Sequence, residues 1–122
     1  MTVLVDTSVW VDHLRGGGNQ QLVDLLENGR VLCHPDVIGE LACGNLHNRA
    51  EILELLDALP QATAVTFSEA LTFLEAHHLY GRGLGWIDTQ LLASARLSGC
   101  PLWTLDRRLA KAAAELEAGT HM

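Results

Sequence analysis

A chain of 122 residues with an apolar share of 48% is one domain, long enough to bury roughly two thirds of its unfolded surface. No uninterrupted apolar run approaches the roughly 20 residues that cross a bilayer, so the sequence reads as a soluble protein with no membrane partner. The formal net charge of −7 argues against simple adhesion to nucleic acid through a basic face, though not against a nuclease whose acids hold cations.

The chain enters a short apolar strand, Thr2-Val3-Leu4-Val5, without the basic segment and long apolar stretch of a signal peptide, and a cytoplasmic location is the expectation. Asp6-Thr7-Ser8 breaks that run and delivers a carboxylate to the end of the strand, where open α/β sheets bind their ligands. Ser8 to Arg15 reads as a short helix stopped by Gly16-Gly17-Gly18, which lacks the Lys-Ser or Lys-Thr of a phosphate loop and is a connector. Leu22, Val23, Leu25 and Leu26 mark one face of a second helix that Gly29 ends, and Val31-Leu32-Cys33 follows as a second strand.

At His34-Pro35-Asp36 a proline opens the next helix, whose buried face is Val37, Ile38, Leu41 and Ala42 and which carries Glu40. Ile52, Leu55, Leu56 and Leu59 stripe a further helix closed by Pro60, and Ala64-Val65 reads as a weak third strand. Thr66 and Glu69 have the spacing of a capping box opening a helix to about Tyr80. Gly81-Arg82-Gly83-Leu84-Gly85 follows a helix and has the wrong spacing for a dinucleotide loop. Trp86 begins a helix with Asp88 in its first turn and Gly99 at its end; Pro101 to Leu105 is the fourth strand, and Asp106 leads into a helix from Arg107 to about Glu117. Alternating strands and helices imply an α/β fold, with a parallel sheet of about four strands covered by helices on both faces.

Four acids, Asp6, Glu40, Asp88 and Asp106, thus fall at strand ends or in the helices near them. Each has a structural role open to it: Asp6 and Asp106 as helix N-caps, Asp88 as a first-turn acid, Glu40 as solvated surface. Neighbouring parallel strands lie about 4.8 Å apart, so if the first and fourth strands adjoin, Asp6 and Asp106 are forced together. At roughly 4 Å and an effective dielectric near 20 such charges repel by about 4 kcal/mol, a cost that a divalent cation removes. All-oxygen ligands select Mg²⁺ or Mn²⁺, whose usual work is phosphoryl transfer to a metal-activated water. The histidines lack zinc-ligand spacing, Cys33, Cys43 and Cys100 read as small core residues, and Trp10, Trp86 and Trp103 read as core anchors.

Val3 to Trp10, His34 to Leu41, Gly85 to Asp88 and Trp103 to Leu109, in that order, resemble the PIN-domain ribonucleases and, among them, the VapC-type toxins of bacterial toxin–antitoxin modules. The resemblance spans nearly the whole chain. It implies a PIN-like three-layer fold over residues 1–118, with Asp6, Glu40, Asp88 and Asp106 as the catalytic and metal-binding quartet for Mg²⁺ or Mn²⁺ and with Thr7, Ser8 and Thr104 orienting water or ligands behind them. It further implies a metal-dependent endoribonuclease acting on RNA, a homodimer, and a cognate antitoxin that inserts a tail, often with an arginine, into the acidic site. Where many PIN domains carry a further acid and a fifth strand after the last aspartate, this chain has Arg107 and Arg108 and ends in a helix. Residues 119–122 are unlike the helix before them and read as a disordered tail or a non-native remnant.

Other readings are a PIN endonuclease of RNA processing with no antitoxin and a catalytically silent PIN-like binding module. An intact quartet favours the active enzyme, since a chain freed from catalysis has no reason to keep mutually repelling acids. A phosphate-accepting receiver domain also gathers acids at a sheet edge, but it needs a lysine at a late strand end, and the one lysine here, Lys111, lies inside the last helix.

Overall fold

Val3, Leu4 and Val5 have no exposed surface, and because successive strand side chains point to opposite faces, the strand they form is covered on both. This is β1 (Val3–Val5), the middle of a three-stranded parallel sheet with β2 (Val31–Leu32) on one side and β3 (Leu102–Trp103) on the other. Val3 pairs with Val31 and Leu4 with Leu32; on the other edge Leu4 pairs with Leu102 and Val5 with Trp103. The structure, a computed structural model, describes residues 1–116. The expected domain end at 118 and the tail at 119–122 lie outside the described residues.

Seven helices surround the sheet among the described residues: α1 (Thr7–Arg15), α2 (Gln20–Glu27), α3 (Pro35–Cys43), α4 (Arg49–Asp57), α5 (Phe67–Ala76), α6 (Trp86–Ser98) and α7 (Arg107–Glu115). Helix α6 is the most deeply set, with Leu91 to Ala95 all buried, as expected of a helix packed on more than one side. It and α7 lie against β3, while α1 packs on α3 and α3 on α4. No described helix is long and apolar enough to cross a membrane. The chain leaves β1 for β2 on one side and reaches β3 on the other only after α6, so the C-terminal end of β1 is a topological switch point, where such sheets open a crevice.

Three expectations need correction. The third strand at Ala64-Val65 does not form; the chain touches the β2 edge earlier, in a single parallel bridge between Cys33 and Gln61, with Cys33 donating to the Pro60 carbonyl and Ala62 to that of Cys33. The next amide, Thr63, donates to the Ser98 hydroxyl instead, which ends the ladder. Helix α5 stops at Ala76 and not near Tyr80: His78 adopts a left-handed φ of 51°, His78 donates to the Glu75 carbonyl and Leu79 to that of Leu74, and Leu79 is buried. This is a Schellman stop with histidine where glycine is usual. Trp10 and Trp103 are core residues as expected, but Trp86 is 38% exposed, and of the cysteines Cys43 is exposed. Burial pushes the Cys33 thiol up to about 11 and raises that of Cys100, as suits packing residues.

The capping box of Thr66 and Glu69 forms as read, each side chain meeting the other's backbone amide at 3.1 and 2.8 Å. Because β1 is enclosed on both faces, Leu4→Ala should cost about 2–5 kcal/mol, measured as a lower midpoint in urea with an unchanged slope.

Candidate active site

The pairing of β1 with β3 sets the site. Asp6 follows β1, its amide donates to the Trp103 carbonyl at 2.9 Å, and this brings it beside Thr104 at the end of β3. The Thr104 hydroxyl donates to Asp6 Oδ2 at 2.7 Å and receives the Asp106 amide at 3.1 Å. The Ser8 hydroxyl also donates to Asp6 Oδ2 at 2.7 Å, and receives the Leu105 amide at 2.9 Å. Asp6, 6% exposed, is thus a buried carboxylate held by hydroxyls from two segments 96 residues apart. Hydrogen bonds to a charged acceptor are worth about 1.5–3 kcal/mol each, which offsets much of the cost of its burial.

Glu40 lies on α3, facing α1, where the Thr7 hydroxyl donates to its Oε1 at 2.7 Å. Asp88, in the first turn of α6, accepts the Gly85 amide on Oδ2 at 2.9 Å. Asp106 caps α7, taking the Arg108 and Leu109 amides on Oδ1 at 2.9 and 3.2 Å, while Asp6 caps α1 through Ser8. The structural roles considered for the three aspartates are therefore all present.

They use only half of each side chain. Asp6 Oδ1, Glu40 Oε2, Asp88 Oδ1 and Asp106 Oδ2 receive no hydrogen bond from any described residue. One oxygen of each carboxylate is fixed by the fold, and the other is not. The charges also feel one another: burial raises the Asp88 pKa, and the charges of Asp6 and Asp106 raise it further, against the stabilising Gly85 amide. Among the described residues no three His, Cys, Asp or Glu side chains are gathered into a ready metal cage. The donor set, all oxygen and mutually repelling, nonetheless suits a hard divalent cation, with Asp6, Asp88 and Asp106 sharing one field and Glu40 held nearby through Thr7.

The sequence reading missed the brace behind these acids. His34 is buried and caps α3, its Nδ1 accepting the Asp36 amide at 3.0 Å, while Nε2 lies 3.1 Å from the hydroxyl of Ser94, fully buried on α6. Because Nδ1 accepts an N–H, Nε2 carries the proton and donates to Ser94. The Asp36 carboxylate, 3.7 Å from Nδ1, is a neighbour and not an ion-pair partner of this neutral ring. Burial lowers the His34 pKa, with Asp36 opposing in part. The brace ties α3, which carries Glu40, to α6, which carries Asp88. A polar residue directly before a proline that opens a helix was the available signal.

Asp88→Asn retains an oxygen for the Gly85 amide and removes the charge. With the folded pKa raised above 3.8, the penalty is absent below that pH, grows as pH rises through the folded pKa, and persists above it. In EDTA the variant should therefore unfold at or above the wild-type temperature at pH 7, with the advantage vanishing near pH 3. A variant less stable than wild type at pH 7 would leave Asp88 as a cap alone.

The PIN domain family profile matches residues 3–115. Over 114 residues the chain is 47% identical to Ribonuclease VapC32 of Mycobacterium tuberculosis, covering 93% of this chain and 91% of that one. Among solved structures, FitAcB from Neisseria gonorrhoeae superposes with a TM-score of 0.59 at 17% identity, covering 93% of this chain and 94% of that one. PAE2754 from Pyrobaculum aerophilum does so with a TM-score of 0.60 at 18% identity, covering 92% and 79%. The fold is thus the α/β arrangement expected, with three strands in place of about four, and the chain belongs to the PIN-domain family, within it to the VapC-type ribonucleases.

Proposed function

We propose that the protein is the toxin of a type II toxin–antitoxin module, a metal-dependent endoribonuclease that acts on RNA in the cytoplasm and is silenced by its cognate antitoxin. The observation that carries this reading is the half-used quartet: four carboxylates, each with one oxygen bonded within the fold and one that receives no hydrogen bond from a described residue. Asp6, Glu40, Asp88 and Asp106 would hold Mg²⁺ or Mn²⁺. Bound there, the cation would supply the positive charge that neutralises the scissile phosphate and acidifies the attacking water.

The chain's own residues do the rest. Ser8 and Thr104 hold Asp6 correctly turned by donating to its other oxygen. Thr7 does the same for Glu40. Water's oxygen bonds to phosphorus as the bond to the 3′ oxygen breaks, and a proton passes to that leaving oxygen. The products are a 5′-phosphate and a 3′-hydroxyl, because the ribose 2′-hydroxyl takes no part.

Two surfaces support the proposed partners. A cavity of about 310 Å³ with an apolar lining, including Trp10, Leu26 and the exposed Leu55, shares Leu14 and Ile52 with a second of about 350 Å³ that reaches Glu40. An antitoxin helix with a basic tail fits that path, the tail ending among the acids. Elsewhere Phe67, Leu71 and Trp86 are exposed together, with the Phe67 and Trp86 rings 5.2 Å apart, and this patch suits a second copy of the chain.

Asp6→Asn should abolish cleavage of total RNA and toxicity on expression while leaving the fold intact, and EDTA should silence the wild type. In the wild type, Mg²⁺ at about a hundred times its dissociation constant should add about 2.7 kcal/mol of stability, and less in the variant. An Asp6→Asn protein cutting at the wild-type rate, or a wild type indifferent to EDTA, would return the acids to helix caps. For assembly, light scattering should report a dimer that Phe67→Glu makes monomeric; a monomeric wild type at high concentration would sink that part.

A further inference from the structure

An enzyme of net charge −7 that acts on RNA has few cations with which to hold its substrate, and three of its eight Lys and Arg side chains are engaged with described partners. Arg82 pairs with Glu115 at 2.7 Å, Arg49 donates to the Ala42 carbonyl at 2.9 and 3.2 Å, and Arg96 donates to the Leu116 carbonyl. Arg108 is among the others, and it is the one that lies against the loop leading to Asp88. Its side chain makes no ion pair and no hydrogen bond with any described residue, although its backbone amide is held by Asp106.

What positions that side chain is a glycine. A Cβ added to Gly83 would stand 2.7 Å from Arg108 Nη1 and 3.2 Å from its Cζ and Cδ. The guanidinium therefore lies against the bare backbone of Gly83, which also holds a φ of +77° that side chains rarely adopt. Gly83 stands two residues before Gly85, whose amide holds Asp88. Arg108 thus crosses from the helix that Asp106 caps to the loop that presents Asp88, along the rim of the acid site. The glycine-rich stretch 81–85, which lacks the spacing of a dinucleotide loop, has a use here: at Gly83 it makes room for an arginine.

We infer that Arg108, seated on Gly83, is an RNA-contacting residue that grips a backbone phosphate beside the scissile bond. The guanidinium presents a planar fork of donors matched to phosphate oxygens, and the seat restricts its freedom before substrate arrives. The inference rests on the ribonuclease reading above and adds a substrate contact to it.

The test uses the full chain in the uncleaving Asp6→Asn background, with Mg²⁺ and a short labelled single-stranded RNA, read by fluorescence anisotropy between about 50 and 200 mM salt. Adding Arg108→Gln should weaken binding about tenfold at the low-salt end and reduce the log–log salt slope by about 0.7, the loss of one phosphate contact. Arg108→Lys should keep the slope while recovering only part of the affinity. In the active enzyme Arg108→Gln should raise KM with kcat nearly unchanged, a split that a merely structural role would not produce. Unchanged affinity and slope in Arg108→Gln, with RNA still bound and still cut by the wild type, would overturn this inference alone. Absence of both binding and cutting by the wild type would overturn the ribonuclease reading and this contact with it.

Discussion

The site depends on one hydroxyl. Thr104 donates to Asp6 at the end of β1 and receives the amide of Asp106 at the start of α7, so a single side chain sets two of the acids relative to each other. It can do so only because β3 lies beside β1 in register, Val5 opposite Trp103, which places the next residue of each strand at the same edge. Ser8 repeats the arrangement one turn away, donating to Asp6 and receiving the Leu105 amide. A buried carboxylate is costly without such donors, and here they come from both neighbours of the crevice.

Helix capping and metal ligation are usually set against each other as explanations of an aspartate at a strand end. Here the three aspartates each cap or buttress a helix start with one oxygen, and the second oxygen is left out of that task. The cap immobilises the side chain, which would lower the entropy cost of binding a cation through the remaining oxygen. The cost shows at Asp88, whose pKa is raised by burial and by the charges of Asp6 and Asp106. Such local frustration is expected where function requires it, and the buried sheet and α6 supply the stability that tolerates it.

The His34 to Ser94 bond extends this order into the core. A neutral imidazole joins the start of α3 to the middle of α6, six residues from Glu40 on one helix and six from Asp88 on the other. Its burial disfavours the imidazolium, so the stability this neutral ring contributes is present above about pH 6.5 and is lost as pH falls, when the unfolded chain gains a proton that the folded one resists and Nδ1 can no longer accept the Asp36 amide. Three of the four acids therefore rest on interactions that bridge separate elements: Asp6 on β3, Glu40 on α1, and Asp106 on the Thr104 hydroxyl.

Much of this was legible from residue order alone. Apolar runs, glycine stops at 29 and 99, the proline at 35 and the Thr66 capping box are local signals, and local chemistry places β1, β2 and all seven described helices near where they lie. The four acids were visible too: Asp6 and Asp106 because a strand end is marked by the residue that breaks an apolar run, Glu40 and Asp88 as acids near helix starts. Tertiary contacts decided what depends on distant partners. Whether Ala64-Val65 would pair was settled by Ser98 taking the Thr63 amide, and the end of α5 by the burial of Leu79. The Thr104 bond to Asp6, the Thr7 bond to Glu40, the His34 brace and the seating of Arg108 on Gly83 all join residues far apart in the chain. No local preference encodes such pairs, since their energies exist only once the sheet order β2-β1-β3 has brought the segments together.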